Sequence, residues 1–460
     1  MQVLVLLLVL LILSIVGFRL GRGRAVRVAG SKPGTLHSLP DYYGYYVALW
    51  CGLPALALIV LWLSLDGTLL QMLVERALPV QTQALPASQL ALVMNEVRNL
   101  AQSGMFSQAS SPAIAKAAIQ FNNLHAISFA AMAALALSLC VAGGLLGLRI
   151  IHPKLRARNQ VETVVKLFLI ASSTAAIFTT IGIVLSLLFE SLRFFSMIPI
   201  TNFLFGLDWS PQMAMRADQV GASGAFGAVP LFTGTLLISV IAMLVATPIG
   251  LMSAIYMAEY AHPKFRAVAK PLLEVLAGIP TVVYGFFAVL TVAPFLRELG
   301  DILHIDIASE SALATGVVMG IMIIPFISSL SDDVLTAVPD SLRQGAYGLG
   351  ATRSETITQV VMPAALPGIV GGLLLAVSRA IGETMIVVMA AGLSARLTAN
   401  PFEAVTTVTV QIVTLLVGDQ EFDSPKTLSA FALGLVLFVV TLILNVVALH
   451  VVRKYREKYD

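Results

Sequence analysis

The chain has 460 residues, of which 58% are hydrophobic and only 12% charged, and its formal net charge is +3. A soluble domain carries about twice that share of charged residues, so the composition excludes a soluble globular protein. Apolar residues collect in blocks of the length that a membrane-crossing helix needs, about 20 residues. An outer-membrane barrel instead shows alternating segments of about 10 residues. We therefore expect an all-α integral membrane protein that contacts membrane lipid. The small net charge carries no information about nucleic acid, and we expect no nucleic-acid partner.

Nine apolar blocks predict nine transmembrane helices. The first block is followed by arginines and lacks a signal-peptide cleavage site, so we interpret it as an uncleaved anchor. With the N-terminus outside, 19 of the 28 basic residues fall on the inside, counting Lys166 at the inside end of the fourth span, and 8 fall on outside segments. Because basic residues favour the cytoplasmic side, we predict that the C-terminus lies in the cytoplasm. The predicted spans are residues 2–18, 44–64, 124–148, 164–189, 230–256, 271–295, 313–331, 366–392 and 428–452.

The chain divides near residue 160. Residues 1–159 form an N-terminal membrane extension of three spans, with a long external segment in which we predict short amphipathic helices around 90–100 and 113–121. Residues 160–460 hold six spans with shorter loops. We find no internal repeat, which weakens an ion-coupled secondary transporter as the interpretation, because such folds are commonly built from repeated halves.

No pattern in the sequence indicates a metal site or a cofactor. Cys51 and Cys140 both lie inside apolar blocks, and we interpret them as small core side chains. The six histidines are scattered without the spacing of metal ligands. We expect neither a metal nor a cofactor.

The longest inside loop of the second half, residues 331–367, carries signals for two short helices. Asp340 or Ser341 can cap the first, and glycines end it. Thr352 and Glu355 stand in the register of a capping box for the second. We expect prolines to end this second helix where the next span begins, and we interpret the two aspartates that follow Ser331 as a solvated helix end.

This loop resembles the ATPase-coupling loop of ABC-importer permeases, written E-A-A, three residues, G, nine residues, I-x-L-P. Four of its letters differ from the commonest ones, but the spacing is kept. In that family the loop docks on a cytoplasmic ATPase dimer, which the resemblance implies here too. A P-loop needs glycine directly before its lysine, and the chain has no Gly-Lys pair, so the ATPase must be another chain and this one a non-catalytic subunit. The matching residues are Gln344, Gly345, Ala346, Gly350, Val360, Met362 and Pro363.

The eighth predicted span holds two charged residues. Arg379 lies near its middle, and Glu383 would follow one helical turn later on the same face. A charge at the bilayer centre costs about 2.5–3.5 kcal/mol, so we expect both to face a polar path or a partner. The planar guanidinium can hold two oxygens of an oxyanion, and Gly382 leaves room for a neighbouring helix or a ligand. A purely structural ion pair remains the alternative.

The stretch Arg379-Ala-Ile-Gly382-Glu383-Thr384-Met385 is similar to R-A-x-G-E-T-M in the phosphate permease family PstC. The partner family PstA usually lacks the methionine. Further similar stretches lie at residues 226–230 and 278–287, and the likeness covers about residues 160–455.

The resemblance implies a six-helix ABC-importer permease core, preceded by about three extra helices, in a bacterial inner membrane. Its implied function is a channel subunit of an ATP-driven importer that passes phosphate from an external binding protein to the cytoplasm, beside a homologous PstA-like permease. The implied substrate pathway is Arg379, Gly382, Glu383 and Thr384. A PstA-type subunit, or a permease for another oxyanion, remains the nearest alternative. An ion-coupled secondary transporter is the alternative from another class of protein.

Overall fold

The structure is a computed structural model that describes residues 2–30, 36–79, 82, 86–106, 109–213, 223–417 and 423–455. Within these residues, nine helices are long and apolar enough to cross a membrane, which confirms the predicted number. The chain forms two compact units, Met1–Phe178 and Thr179–Asp460, and the division falls inside one long helix. Four basic residues used in the orientation argument lie outside the described residues: Lys32, Arg216, Arg456 and Lys458.

Three long helices of the first unit pack around a common core. Small residues line their contacts, which allows the backbones to approach closely. Both cysteines are buried in this core, as expected for small apolar side chains. The helices of this unit are α1 (Gln2–Ala29), α2 (Pro40–Ala77), α3 (Ala87–Ser103), α4 (Pro112–Ile150) and the first part of α5 (Ala157–Met197). The core includes Leu6, Leu10, Tyr43, Val47, Cys51, Ile59, Met132, Ala136 and Cys140.

A second core in this unit lies beyond the predicted spans, where the end of α2 and the start of α4 pack with α3. The 38 residues of α2 extend about 57 Å, well beyond the roughly 30 Å of hydrocarbon. The helix predicted around 90–100 is α3, whereas residues 113–121 are the first turns of α4 and not a separate helix. Ser111 caps α4 by accepting a hydrogen bond from the Ile114 N–H at 3.3 Å. Residues of this core include Val74, Met94, Val97, Leu100, Ile114, Ala117 and Ala118.

The second unit contains the remaining helices and one short hairpin. Its central helix, α11, is the most buried of the candidate spans. Its core includes Ile238, Ala242, Val318, Met319, Ile323, Ile386 and Val410. The helices are α6 (Ile200–Phe205), α7 (Val229–Ile255), α8 (Pro263–Ala277), α9 (Thr281–Phe287), α10 (Ala293–Leu303), α11 (Ala312–Ala337), α12 (Asp340–Gly348), α13 (Arg353–Thr356), α14 (Met362–Ile381), α15 (Met385–Ala390), α16 (Val408–Leu416) and α17 (Pro425–Tyr455). Strands β1 (Trp209–Met213) and β2 (Ser223–Phe226) pair antiparallel.

Two predicted spans are not continuous helices. The sixth, predicted over 271–295, begins only at Thr281, because a link at 278–280 separates α8 from α9. Pro280 lies in this link, and proline cannot donate the backbone hydrogen bond that a continuing helix requires. The eighth, predicted over 366–392, stops at Ile381 and resumes as the short α15. The helix α16 was not predicted, and at nine residues it is too short to cross a membrane.

Candidate functional site

Arg379 lies in the last turn of α14, on the face that packs against α11. Further down the same face, a Cβ placed on Gly368 would lie 2.6 Å from Val334, which shows how closely the two helices approach. At the Arg379 end, the contacts are made by two α11 residues one helical turn apart. The Arg379 Nη2 lies 3.9 Å from the Met322 sulfur, and the guanidinium carbon lies 5.8 Å from the centre of the Phe326 ring.

These two neighbours hold the guanidinium without neutralising it. A thioether sulfur is a weak acceptor, and an aromatic face attracts a cation by about 0.5–2 kcal/mol without carrying a formal charge. Among the described residues, no carboxylate oxygen lies within 4.0 Å of an Arg379 nitrogen, so the positive charge is uncompensated there. Arg379 is exposed in the single chain, so its charge is accessible to an anion.

Glu383 does not form an ion pair with Arg379, which was the structural alternative in the sequence analysis. The prediction that both lie on one face of one helix is wrong, because α14 ends at Ile381 and Gly382 begins a non-helical link. The Glu383 carboxylate instead accepts a long hydrogen bond of 3.5 Å from the Ile386 N–H, in the first turn of α15. A negative charge is favoured at that helix end. The Thr409 hydroxyl fixes the link by donating to the Glu383 carbonyl at 2.8 Å.

The other two predicted pathway residues lie in the same break. A Cβ on Gly382 would contact only its own helix, 3.5 Å from the Ser378 carbonyl, so no neighbouring helix among the described residues fills the space beside it. Thr384 is the residue that precedes α15, and its hydroxyl donates to the Gly382 carbonyl at 3.3 Å. The structure therefore brings Arg379, Gly382, Glu383 and Thr384 to one interruption of the helix.

A second interrupted helix packs against this break. A Cβ on Gly285, in α9, would lie 2.7 Å from the Met389 Cβ in α15, so only glycine permits this approach. The Tyr284 hydroxyl spans the α8–α9 link by donating to the Leu276 carbonyl at 2.8 Å. The stretches 278–287 and 379–385, which the sequence shows as separate motifs, thus come together. Met322 and Phe326 were not predicted, because nothing marks them among the apolar residues of their span.

The loop after α11 forms the two predicted short helices. The helix α12 begins directly after Pro339 without a side-chain cap, so the expected capping by Asp340 or Ser341 is wrong. Gly350 has a φ of +89°, a conformation that side-chain-bearing residues rarely adopt, and it makes the corner. The predicted capping box is confirmed: the Thr352 N–H donates to Glu355 at 2.7 Å, and the Glu355 N–H donates to the Thr352 hydroxyl at 3.4 Å.

The corner of this loop is open to solvent. Gln344, Gly345 and Gly350 are exposed, and the apolar side chain of Leu349 between them is 92% exposed. Ala346 is buried against the chain itself. Pro363 lies in the first turn of α14 and does not end the preceding helix, because a π-helical turn, Ile357–Val361, joins α13 to α14 without interruption.

An ion pair that sequence reasoning missed anchors α12. The Arg343 Nη2 lies 2.8 Å from the Glu259 Oε1, and both side chains are largely buried. The same guanidinium donates to the carbonyls of Leu335 at 2.8 Å and Val338 at 2.6 Å. Glu259 lies in a π-helical turn, Tyr256–Tyr260, that continues α7. Sequence periodicity could not predict the pair because the partners are 84 residues apart.

A second charged cluster ties α8 to the end of α11. The expectation that both aspartates after Ser331 are solvated is wrong for Asp332, which is only 1% exposed. Its carboxylate accepts from Arg266 and from Lys270, each at 2.8 Å. This carboxylate raises the pKa of the Lys270 ammonium above its ordinary value. Asp333 is exposed, as predicted.

Comparison with known proteins assigns these features to a family. A family described as a phosphate ATP-binding cassette transporter matches residues 7–179. A second, described as the inner membrane component of binding-protein-dependent transport systems, matches residues 246–457. The first match falls mainly on the first unit, and the second covers α11 to α16 with the interrupted helices and the loop.

Individual relatives are similar over about half of this chain and most of their own length. The ABC transporter permease protein YqgH of Bacillus subtilis is 35% identical over 52% of this chain and 74% of its own. The phosphate transport system permease protein PstC of Mesorhizobium japonicum is 34% identical over 54% of this chain and 76% of its own length. The protein of the same name in Pasteurella multocida is 31% identical over 60% of this chain and 87% of its own length.

The chain belongs to the PstC family of ABC-importer permeases. Membership confirms the fold class: an all-α, multi-pass inner-membrane protein whose six-helix permease core follows three additional helices. The three additional helices at the N-terminus also belong to a known family, because the family match over residues 7–179 covers them.

Proposed function

We propose that this PstC-family chain is the phosphate channel subunit of an ATP-driven importer, which passes phosphate from an external binding protein to the cytoplasm. Family membership supports the class of machine, and two relatives that are phosphate transport system permeases support phosphate as the substrate. The observation that carries the proposal is the Arg379 guanidinium. It lies at a helix interruption, and among the described residues its neighbours are a sulfur and an aromatic ring, with no carboxylate.

The chemistry of this site suits an anion in transit. An oxyanion that leaves water needs replacement donors, and a guanidinium offers two in a fixed fork. An acidic partner would compete for that fork, and none is present among the described residues. A channel must also release its substrate, so binding has to remain weak. The Glu383 carboxylate in the same break repels a bound anion and favours release, with Gly382 and Thr384 completing the path.

The partners follow from the exposed loop. We propose that Gln344, Gly345, Ala346, Gly350 and Pro363 belong to the element that couples this non-catalytic subunit to a cytoplasmic ABC ATPase dimer. The exposed Leu349 side chain supports this, because a large apolar residue at a loop tip is suited to a partner surface. A PstA-like second permease would complete the channel. We place the N-terminus outside and the C-terminus in the cytoplasm, with residues 1–159 as the extension and 160–460, including the loop 331–367, as the permease domain.

Uptake of labelled phosphate by vesicles containing the assembled complex tests the assignment of Arg379. Arg379→Gln should abolish uptake, and Arg379→Lys should retain a fraction, because an ammonium keeps the charge and loses the fork. Since Glu383 is not paired with Arg379, Arg379→Gln strands no carboxylate, and the complex should still assemble. The matched control is Arg297→Gln, which removes another exposed arginine of the same unit and should leave uptake unchanged. Normal uptake by an assembled Arg379→Gln complex would contradict the proposal.

A further inference from the structure

One edge of the first unit is strongly basic. Nine described basic residues lie at the end of α1, at the end of α4, in the segment between α4 and α5 and at the start of α5, against two acidic ones, Asp41 and Glu162. Both acids are already paired, Asp41 with Arg22 at 2.9 Å and Glu162 with Arg158 at 2.5 Å. Seven cations therefore have no acidic partner among the described residues of this edge. The basic residues are Arg19, Arg22, Arg24, Arg27, Arg149, Lys154, Arg156, Arg158 and Lys166.

The contacts of this edge hold it in a fixed shape. The Tyr43 hydroxyl donates to the Leu155 carbonyl at 3.0 Å, which ties the start of α2 to the segment between α4 and α5. The His37 N–H donates to the Pro153 carbonyl at 3.0 Å, so the segment before α2 is tied to the same place. The basic side chains on these segments are thus presented together.

A groove of about 400 Å³ opens between the start of α2 and the first turns of α5. Two charged residues of its lining, Glu162 and Lys166, lie beside apolar residues of α5 and two tyrosines of α2. The Arg158 guanidinium lies 6.0 Å above the Tyr42 ring and pairs with Glu162, which fixes one rim. Lys166 is exposed and has no acidic partner among the described residues. The groove is lined by Tyr42, Tyr45, Val161, Glu162, Val165, Lys166 and Leu169.

We propose that this groove binds one anionic phospholipid. Its phosphate would lie at the Lys166 ammonium, and an acyl chain would lie along Val165 and Leu169. The groove passes from the basic edge onto the apolar face of α5, so it matches a molecule with an anionic head and an apolar tail. Basic pockets between helices at a membrane surface are recognised binding sites for such headgroups. The site belongs to the first unit alone and does not depend on the proposed phosphate transport.

The general preference of basic residues for one membrane side applies to Lys166 as well, but it does not account for the apolar groove beside that residue. That preference is satisfied by charges in the linkers, such as Lys154 and Arg156. Lys166 instead lies inside α5, beside an apolar groove whose far wall is formed by Tyr42 and Tyr45. The Tyr45 ring packs on Phe18 with centroids 4.9 Å apart, so that wall is held in place by α1.

Native mass spectrometry of the full chain in a non-ionic detergent tests the proposal. The protein would be titrated with phosphatidylglycerol or with phosphatidylcholine of the same acyl chains. We expect one phosphatidylglycerol to bind more tightly than phosphatidylcholine. Lys166→Gln should weaken phosphatidylglycerol binding about fivefold and leave phosphatidylcholine unaffected, because one positive charge near the headgroup is lost. Leu169→Trp should weaken both lipids by filling the groove, and since Leu169 is exposed the variant should still fold.

The matched control is Lys264→Gln, which removes an exposed lysine of the second unit and should leave the lipid preference intact. Equal losses in Lys166→Gln and Lys264→Gln would overturn the proposal, since they would indicate unspecific attraction. Equal affinity of the unaltered chain for both lipids would also overturn it. So would displacement of phosphatidylglycerol by millimolar inorganic phosphate, which lacks the acyl chain that the groove is proposed to hold.

Discussion

The ion pair between Arg343 and Glu259 is expected to transmit movement from α12 to α7. Only 14% of the Arg343 side chain and 6% of the Glu259 side chain are exposed, and their closest atoms are 2.8 Å apart. Removing one partner of a buried pair leaves an uncompensated charge, at a cost of about 3–5 kcal/mol. Arg343→Met should approach this range, because it strands Glu259 and also leaves the carbonyls of Leu335 and Val338 without their donor.

The double variant Arg343→Met, Glu259→Met separates stability from coupling. Removing both charges eliminates the stranded carboxylate, so we expect most of the lost stability to return. The polar link between α12 and α7 stays broken, so ATP hydrolysis should no longer drive uptake. The assay measures thermal unfolding of the purified complex, and ATP turnover and phosphate uptake in vesicles with loaded binding protein.

The control for this series is Arg353→Met. The Arg353 guanidinium lies 4.9 Å from the centre of the Tyr260 ring, a second contact between the loop and the end of α7 that involves no carboxylate. Because Arg353 is exposed, Arg353→Met should lower the stability of the complex by only about 0.5–1 kcal/mol. Phosphate uptake should stay coupled to ATP hydrolysis. Full coupling in the double variant would refute the reasoning, and so would unchanged stability in Arg343→Met.

Two further predictions concern the same side of the second unit. Asp332→Asn should destabilise the complex by about 1.5–3 kcal/mol, because a buried carboxylate loses charge-assisted bonds to two partly exposed cations. Asp333→Asn should change the stability of the complex by less than about 1 kcal/mol. Equal shifts of the unfolding temperature in the two variants would contradict the different roles of Asp332 and Asp333. Gly350→Ala should lower the stability of the loop by about 1–2 kcal/mol, because alanine is strained at positive φ. The distorted corner should then allow ATP turnover without phosphate uptake. Gly345→Ala, at an open helical position, should behave normally, and unchanged stimulation by loaded binding protein in Gly350→Ala would contradict this account.

Much of the fold could be predicted from the sequence because a membrane helix is specified locally. Twenty consecutive apolar residues suffice, and the nine predicted spans correspond to nine helices among the described residues. One local signal was equally reliable in the loop, because the capping box of Thr352 and Glu355 needs only three residues of register, whereas the expected cap at Asp340 or Ser341 did not form. The helix interruptions were missed because hydropathy does not change across them. Gly382 and Pro280 mark them, but both residue types also occur inside intact membrane helices.

The candidate site was predictable only in part, for a related reason. Arg379 is conspicuous in an apolar span, and its identity alone was enough to select it. Its contacts depend on the register of α14 against α11, which is set by tertiary packing between residues more than 50 positions apart. The prediction that Glu383 lies on the same helical face assumed an unbroken helix, and it is wrong because the helix ends at Ile381. The buried pair of Glu259 and Arg343 was likewise out of reach of any local pattern.

Conduction of phosphate by this PstC-family chain, as part of an ATP-driven importer, can be measured directly. The most direct test is accumulation of labelled phosphate by vesicles that contain the chain assembled with its ATPase, second permease and binding protein. We expect uptake to require ATP and loaded binding protein, to persist when ion gradients are dissipated, and to be unaffected by excess sulfate. Phosphate uptake without ATP, driven by a proton or sodium gradient, would contradict this expectation.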